Sequence, residues 1–461
     1  MDELLDSTLE TIGEAIKSKQ VKSVGIVRGF LDRVEKVNPQ LNALVYSTAE
    51  QAMKLADLAD KALQNQEAIG KLHGIPITIK DSLDTKDAIT TWGTLGRKDY
   101  RPGRDATVVA RLRDEGAILI GKTNTPEFTL SFQTSNLVYG ATNNPFDLSR
   151  TPGGSSGGAA ALIAAGATPL DIGTDTGGSI RLPSHFCGIA GIKPTTGRVP
   201  CTGNALPSYG LLAPLSQPGP MARYVDDLSL VLGIIGGPDQ LDPHCIPASQ
   251  STCSDIQNLR VAFHTDNGIC TPDKAIIDTI GSIVELLSDA TGPATEARPT
   301  GLEMAGFVFS RVFSADNGEM VQALLENCRT ETPSPRLQQS LESPPQRLSP
   351  QEFAQVINLW DNYRSTMLGF FDDFDILISP VNAHTALKLD ESEDLAAYTY
   401  TSAYNLTGWP GVVIRAGQDR SGLPIGIQIL AAPFREDRCL AVAKWLEEKL
   451  LDFKPPTTTS A

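Results

Sequence analysis

The order of its apolar segments predicts an α/β fold for this 461-residue chain. From residue 74 to about 200, short β-branched stretches alternate with helical ones, the pattern of strands joined by helices. A hydrophobic content of 41% and a charged content of 20% are globular values. A chain this long can also bury a sizeable core. Length alone suggests two or three domains.

The elements follow in order. Residues 7–35 carry two amphipathic helical stretches, with Ser23 as the expected cap of the second and Val24, Val27, Leu31 and Val34 on one face. Residues 46–66, rich in Ala, Leu and Lys, read as a third helix. Gly74-Ile-Pro-Ile-Thr-Ile-Lys-Asp81 reads as a strand, Ala159–Ala167 as a short buried helix, and Leu170–Gly173 as a short strand. Residues 240–300 are polar and irregular, apart from a strand at Leu259–Phe263 and a helix near 274–290. Residues 329–350, rich in Pro, Ser, Glu and Gln, read as an exposed loop. A helix over 351–372, a buried strand at Phe374–Ile378 and a final helix over about 436–450 complete the order. Residues 454–461 are expected to form a disordered tail. No internal repeat is visible.

Chemistry concentrates in two glycine-rich bends, Thr151-Pro-Gly-Gly-Ser-Ser-Gly-Gly158 and Gly173-Thr-Asp-Thr-Gly-Gly-Ser-Ile-Arg-Leu-Pro183. Glycine lets the backbone turn sharply and bring its N–H groups near a ligand. A serine in such a bend can present its hydroxyl beside donors able to hold an oxyanion. Ser155 and Ser179 are so placed, and the helix and strand between the bends could bring them together. Serine needs a base. Lys80 ends an apolar strand, where burial disfavours its charge and can leave a neutral amine. The three residues suggest a serine hydrolase with a lysine base.

These residues also carry a family resemblance. The chain resembles the amidase signature family through Gly74–Asp81, Asp105–Leu112, Gly121–Phe128, Asn144–Pro145, Gly153–Gly158, Gly173–Val199, Asn405–Pro410 and Gly422–Gln428. Resemblance is dense over about 70–235, thinner over 1–70 and 375–450, and nearly absent over about 240–370. It implies one domain over 1–453, with a mixed central β-sheet covered by helices, in which 240–370 is the variable substrate-specificity region. It also implies a Ser–cis-Ser–Lys triad. Ser179 would be the nucleophile, Ser155 the bridge that passes its proton, and Lys80 the ultimate base. The Gly154–Ser155 bond would be cis. Backbone N–H groups of Thr176, Gly177, Gly178 and Ser179 would form the oxyanion hole, with Ser156, Asp175 and Arg181 supporting the loop. Phe128, Thr129, Leu130 and Phe132 would line the substrate pocket, and Trp360, Tyr363, Tyr404 and Trp409 are candidates for its entrance.

Rival readings have weaker support. A flexible Gly/Ser linker is disfavoured by the apolar helix that follows at once. A phosphate nest would want a Gly-Lys-Ser/Thr run directly after the bend, and none follows Gly158. Gly153-Gly-Ser-Ser-Gly157 satisfies the G-x-S-x-G elbow, which would make Ser155 the nucleophile. None of His73, His185, His244, His264 and His384 sits in a segment resembling that of a catalytic histidine.

The function expected is a stand-alone hydrolase cleaving the C–N bond of a small carboxylic acid amide. Esters or carbamates (urethanes) could enter the same acyl-enzyme chemistry. The alternative is the glutaminase-type subunit of a tRNA-dependent amidotransferase. The stretch Leu206–Pro220 is closer to general amidases than to that subunit, which ranks the hydrolase first. A catalytically silent scaffold is disfavoured because Lys80, Ser155 and Ser179 are all present. No cofactor or metal is expected, since no HExxH and no local His/Cys cluster occurs. The net charge of −15 argues against nucleic acid or an anionic membrane as a main partner. Association into a homodimer is left open. Seven cysteines without CxxC spacing point to free thiols in a reducing compartment. With an acidic N-terminus that lacks a signal-peptide plan and no apolar run of about 20 residues, a cytoplasmic location is expected.

Overall fold

The computed structural model describes residues 1–249, 251–253, 255–342, 347–450 and 456. Its strands are β1 (Leu44–Ser47), β2 (Pro76–Lys80), β3 (Ile118–Thr123), β4 (Ser135–Asn136), β5 (Gly140–Ala141), β6 (Leu170–Asp175), β7 (Ala190–Lys193), β8 (Gln217–Ala222), β9 (Val261–Phe263), β10 (Thr295–Glu296), β11 (Ile376–Pro380), β12 (Gly411–Gln418) and β13 (Pro424–Leu430). Eleven form one sheet, ordered β1-β3-β2-β6-β8-β7-β12-β13-β11-β9-β10, while β4 and β5 form a small ribbon. The sheet is mixed. β2 lies parallel to β3 and β6, and β9 parallel to β10 and β11. The other pairs are antiparallel.

This topology positions the chemistry. Parallel neighbours β2 and β6 end on the same side, with Ile79 beside Ile172. Lys80 therefore meets Thr174 and Asp175 at the carboxyl ends of the strands, where open α/β sheets place ligands. Helix Gly157–Ala164 is buried along its whole length, which explains its Ala-rich, uniformly apolar sequence. A Cβ at Gly158 would lie 2.4 Å from the backbone nitrogen of Asn124, so glycine allows the helix to sit against the end of β3.

The large core joins the N-terminal helices, β2, β3, β6, β12 and the C-terminal helix in one cluster. A second cluster packs helices Ala305–Phe313 and Pro350–Leu368 under Tyr404 and Trp409. No described helix is long and apolar enough to cross a membrane, and all seven cysteines are free thiols.

Most expected elements are present, with informative differences. Helix Ser23–Leu41 is not capped by the Ser23 side chain. Asp60, from helix Ala49–Gln64, accepts from the Ser23 and Val24 N–H groups at 2.7 and 3.3 Å. A distant carboxylate thus does the work of a local cap. The loop expected over 329–350 contains a helix, Pro335–Glu342, whose Leu337 is buried beside Leu324, Leu325 and Cys328. Packing overrides a polar composition there. The tail expected over 454–461 lies outside the described residues, Pro456 excepted.

Candidate active site

Lys80 is fully buried at the end of β2. Its Nζ lies 2.7 Å from Ser155 Oγ, 2.9 Å from Ser156 Oγ and 2.9 Å from Thr174 Oγ1. Burial pushes its pKa well below the ordinary lysine value, against the partial opposition of the Asp175 and Asp171 charges. Lys122 and Lys193 are equally buried, but their amines meet Leu83 O with Thr85 Oγ1, and Pro194 O. Of these three lysines, only Lys80 reaches the serine bends.

The Gly154–Ser155 peptide is cis. Ser156 N–H donates to Ser179 O at 3.2 Å, which fixes the two bends against each other. Ser179 is nearly buried, and its hydroxyl makes no hydrogen bond among the described residues. Ser155 Oγ and Ser179 Oγ are therefore not hydrogen-bonded to each other.

The bend after β6 is held from beneath by Asp175. Its carboxylate accepts from Gly178, Ile180 and Arg181 N–H groups at 2.9, 3.1 and 3.3 Å. It also pairs with the fully buried Arg181 guanidinium at 3.0 Å. Burial alone raises the Asp175 pKa; the charge and hydrogen bonds of Arg181, with Asn405, outweigh this and hold it well below the usual carboxylate range. Asn405 Oδ1 accepts from Arg181 at 2.6 Å, and Gln428 Oε1 does so at 3.2 Å. Asn405 and Gln428 thus complete a buried network, though motif reading attached no role to either. Their distance along the chain from Asp175 hides the partnership.

One expected oxyanion donor needs correction. Gly178 N–H is taken by Asp175, which leaves the Thr176, Gly177 and Ser179 N–H groups without an acceptor among the described residues. Gly178 instead serves by shape. Its φ is +134°, and a Cβ there would lie 2.2 Å from Thr401 Oγ1. Gly178→Ala is expected to cost about 1–3 kcal/mol and to slow acylation of Ser179. Thermal melting and the rate of fluorophosphonate labelling check both effects; an unchanged labelling rate would refute the role given to Gly178.

The proposed pocket residues separate. Phe128 is fully buried among Leu206, Leu324 and Leu325, so it is core. Thr129 is nearly buried, and Leu130 packs at the edge of the Phe128 cluster. Of these four, only Phe132 reaches the Ser179 bend. A Cβ at Gly177 would meet Phe132 Cζ at 3.5 Å and Phe309 Cζ at 3.3 Å. Phe132 stacks on Tyr398 with centroids 4.0 Å apart, and Thr401 Oγ1 donates to Gly177 O at 2.7 Å. Phe309 and Tyr398 escaped the sequence reading; Phe309 lies where the resemblance fades. Trp360, Tyr363, Tyr404 and Trp409 are buried in the second core cluster and do not form an entrance.

The elbow reading finds no base. His73, His185, His264 and His384 bond to Ala59 O, His384 O, Tyr404 Oη and Asp273, respectively. None of the five histidines is hydrogen-bonded to Ser155 or Ser179.

The Amidase family model matches residues 25–440. The chain is 32% identical to a glutamyl-tRNA(Gln) amidotransferase subunit of Clostridium acetobutylicum, over 97% of this chain and 100% of that one. It is similar in structure to 6-aminohexanoate cyclic dimer hydrolase in complex with substrate, with a TM-score of 0.87, 25% identity and 99% of each chain covered. A bacterial aryl acylamidase matches with a TM-score of 0.87 at 26% identity, over 96% of each chain.

Proposed function

The chain belongs to the Amidase family, and on that premise we propose that it cleaves an amide C–N bond through an acyl-enzyme on Ser179. The observation that carries this is the buried amine of Lys80, 2.7 Å from Ser155 Oγ. Neutral Lys80 takes the Ser155 proton as Ser155 takes that of Ser179, once substrate brings the two hydroxyls together. Ser179 Oγ bonds to the carbonyl carbon, and the oxyanion is received by the N–H groups of Thr176, Gly177 and Ser179. One such donor is typically worth about 3–4 kcal/mol of transition-state stabilisation. As the intermediate collapses, Ser155 returns the proton to the leaving amine. Water then attacks the ester, its proton taken by the same relay, and releases the acid and free Ser179.

The base must be neutral, so activity is expected to rise with pH as Lys80 loses its proton. Lys80→Ala is expected to lower kcat by about 10²–10⁴-fold and to remove that alkaline limb. A pH profile unchanged by the substitution would assign the base elsewhere.

Two acyl donors compete. The name of the Clostridium relative favours glutamine, with this chain acting as one subunit of an amidotransferase. That support outweighs the ranking taken from Leu206–Pro220. An acidic subunit can serve a tRNA-dependent reaction through its partners, without binding the nucleic acid itself. The aromatic wall of Phe132, Phe309 and Tyr398 favours instead an apolar amide cleaved by the chain alone. The test is hydrolysis by the purified chain of a panel of anilides, alkyl amides, peptide-like amides, carbamates and glutamine, with Ser179→Ala as blank. Turnover of an apolar amide selects the stand-alone enzyme. Turnover of glutamine alone, or none without added amidotransferase partners, selects the subunit. Turnover that persists in Ser179→Ala refutes the mechanism.

A further inference from the structure

Away from the serine bends, three loops meet at a second cluster. Cys270 precedes helix Lys274–Thr291, His384 follows β11, and Asp394 opens the short turn Leu395–Tyr398. One ligand atom from each lies within 4.8 Å of the other two. Cys270 Sγ is 3.8 Å from Asp394 Oδ2. Asp394 Oδ1 accepts from Ala396 N–H at 2.9 Å, which leaves Oδ2 toward the thiol. Asp273 Oδ2 is 3.1 Å from His384 Nδ1.

We propose that Cys270, His384 and Asp394 bind a divalent cation of the zinc type, with Asp273 orienting the imidazole and water completing a tetrahedron. Sulfur, imidazole and carboxylate ligands together suit Zn²⁺ better than Mg²⁺ or Ca²⁺. Zinc-to-ligand distances of about 2.0–2.3 Å place tetrahedral ligand atoms roughly 3.3–3.6 Å apart. The sulfur-to-oxygen spacing of 3.8 Å is already close to this. A ring that donates its Nδ1–H to Asp273 presents its lone pair at Nε2, the usual outer-shell arrangement of a metal-bound histidine.

Charge agrees with this reading. Binding releases the thiol proton to solvent, and thiolate plus one carboxylate neutralise the ion. His384 and Asp273 side chains are 33% and 54% exposed, which leaves an entry path. The ion would strap together the loops that lead into Tyr398, stacked on Phe132, and Thr401, bonded to the nucleophile bend.

The test is a Co²⁺ titration of the full chain, reduced and stripped of metal with chelator. One equivalent is expected to bind with a thiolate-to-cobalt charge-transfer band and tetrahedral ligand-field bands, both lost on adding Zn²⁺. Cys270→Ser is expected to abolish the charge-transfer band. Asp273→Asn is expected to weaken binding roughly 10–100-fold, and Cys253→Ser to leave it unchanged. Circular dichroism verifies that each variant is folded. No band in the native chain, or a band that survives in Cys270→Ser, overturns the proposal.

Discussion

Replacing Ser179 with alanine is expected to lower amide turnover by at least about 10³-fold while leaving the fold intact. The two halves of this expectation have separate causes. Ser179 Oγ makes no hydrogen bond among the described residues, so its removal leaves no buried partner unsatisfied. A nearly buried hydroxyl without a partner contributes little to stability, and the melting temperature should barely move. The chemistry, by contrast, loses the atom that forms the covalent bond. Lys80, Ser155 and the N–H groups of the bend all remain, but they can only polarise an amide and cannot split its hydrolysis into two steps. Ser155→Ala differs, because Lys80 would lose its 2.7 Å partner and keep only Ser156 and Thr174. Turnover of any active amide and intact mass after fluorophosphonate treatment are the measurements. Residual turnover within tenfold of the native chain, or labelling retained in Ser179→Ala, would remove Ser179 from the role of nucleophile.

What could be read from the sequence was what local chemistry records. A lysine at the end of an apolar strand and two serines in glycine-rich bends are each anomalous in their own segment. Lys80 and the Ser179 bend come together because two parallel strands end on the same side, and the bend before the buried helix sets Ser155 against Lys80. The α/β alternation over 74–200 was legible for the same reason, since a strand's burial is written in its own residues. What the sequence hid depends on distant partners. Asp60 caps helix Ser23–Leu41 from another helix. Leu337 turns a polar stretch into a docked helix. Phe128 and Phe132 are both aromatic and lie on one segment, yet one is core and the other faces the Ser179 bend, because a positive φ at Phe128 and Thr129 turns the chain between them. The N–H of Gly178 could not be distinguished from its neighbours by motif, because its partner Asp175 selects it through the shape of the bend.

The largest expected loss of stability comes from Asp175→Ala. Asp175 and Arg181 are both fully inaccessible. Breaking a buried pair by removing one member typically costs about 3–5 kcal/mol, because the other charge stays buried and uncompensated. Here Arg181 would retain only the neutral oxygens of Asn405 and Gln428. The N–H groups of Gly178, Ile180 and Arg181 would also lose their acceptor, so the bend should loosen and Ser179 labelling should slow. Asp175→Ala/Arg181→Met is expected to be less damaging than the sum of the two single changes, since it removes the orphaned charge. Additive losses in denaturant unfolding would show that the pair acts as two independent residues, and a loss below about 1 kcal/mol in Asp175→Ala would refute the network. The pH dependence has a definite sign. The folded-state pKa of Asp175 is depressed below its ordinary 3.8, so its contribution is complete above that value and is lost as pH falls through the lower folded one. In Asp175→Ala this part of the acid-induced loss should disappear, because the substitution has already taken it. The carboxylate that shapes the Ser179 bend is thus also a source of the fold's acid sensitivity, and one substitution should move both.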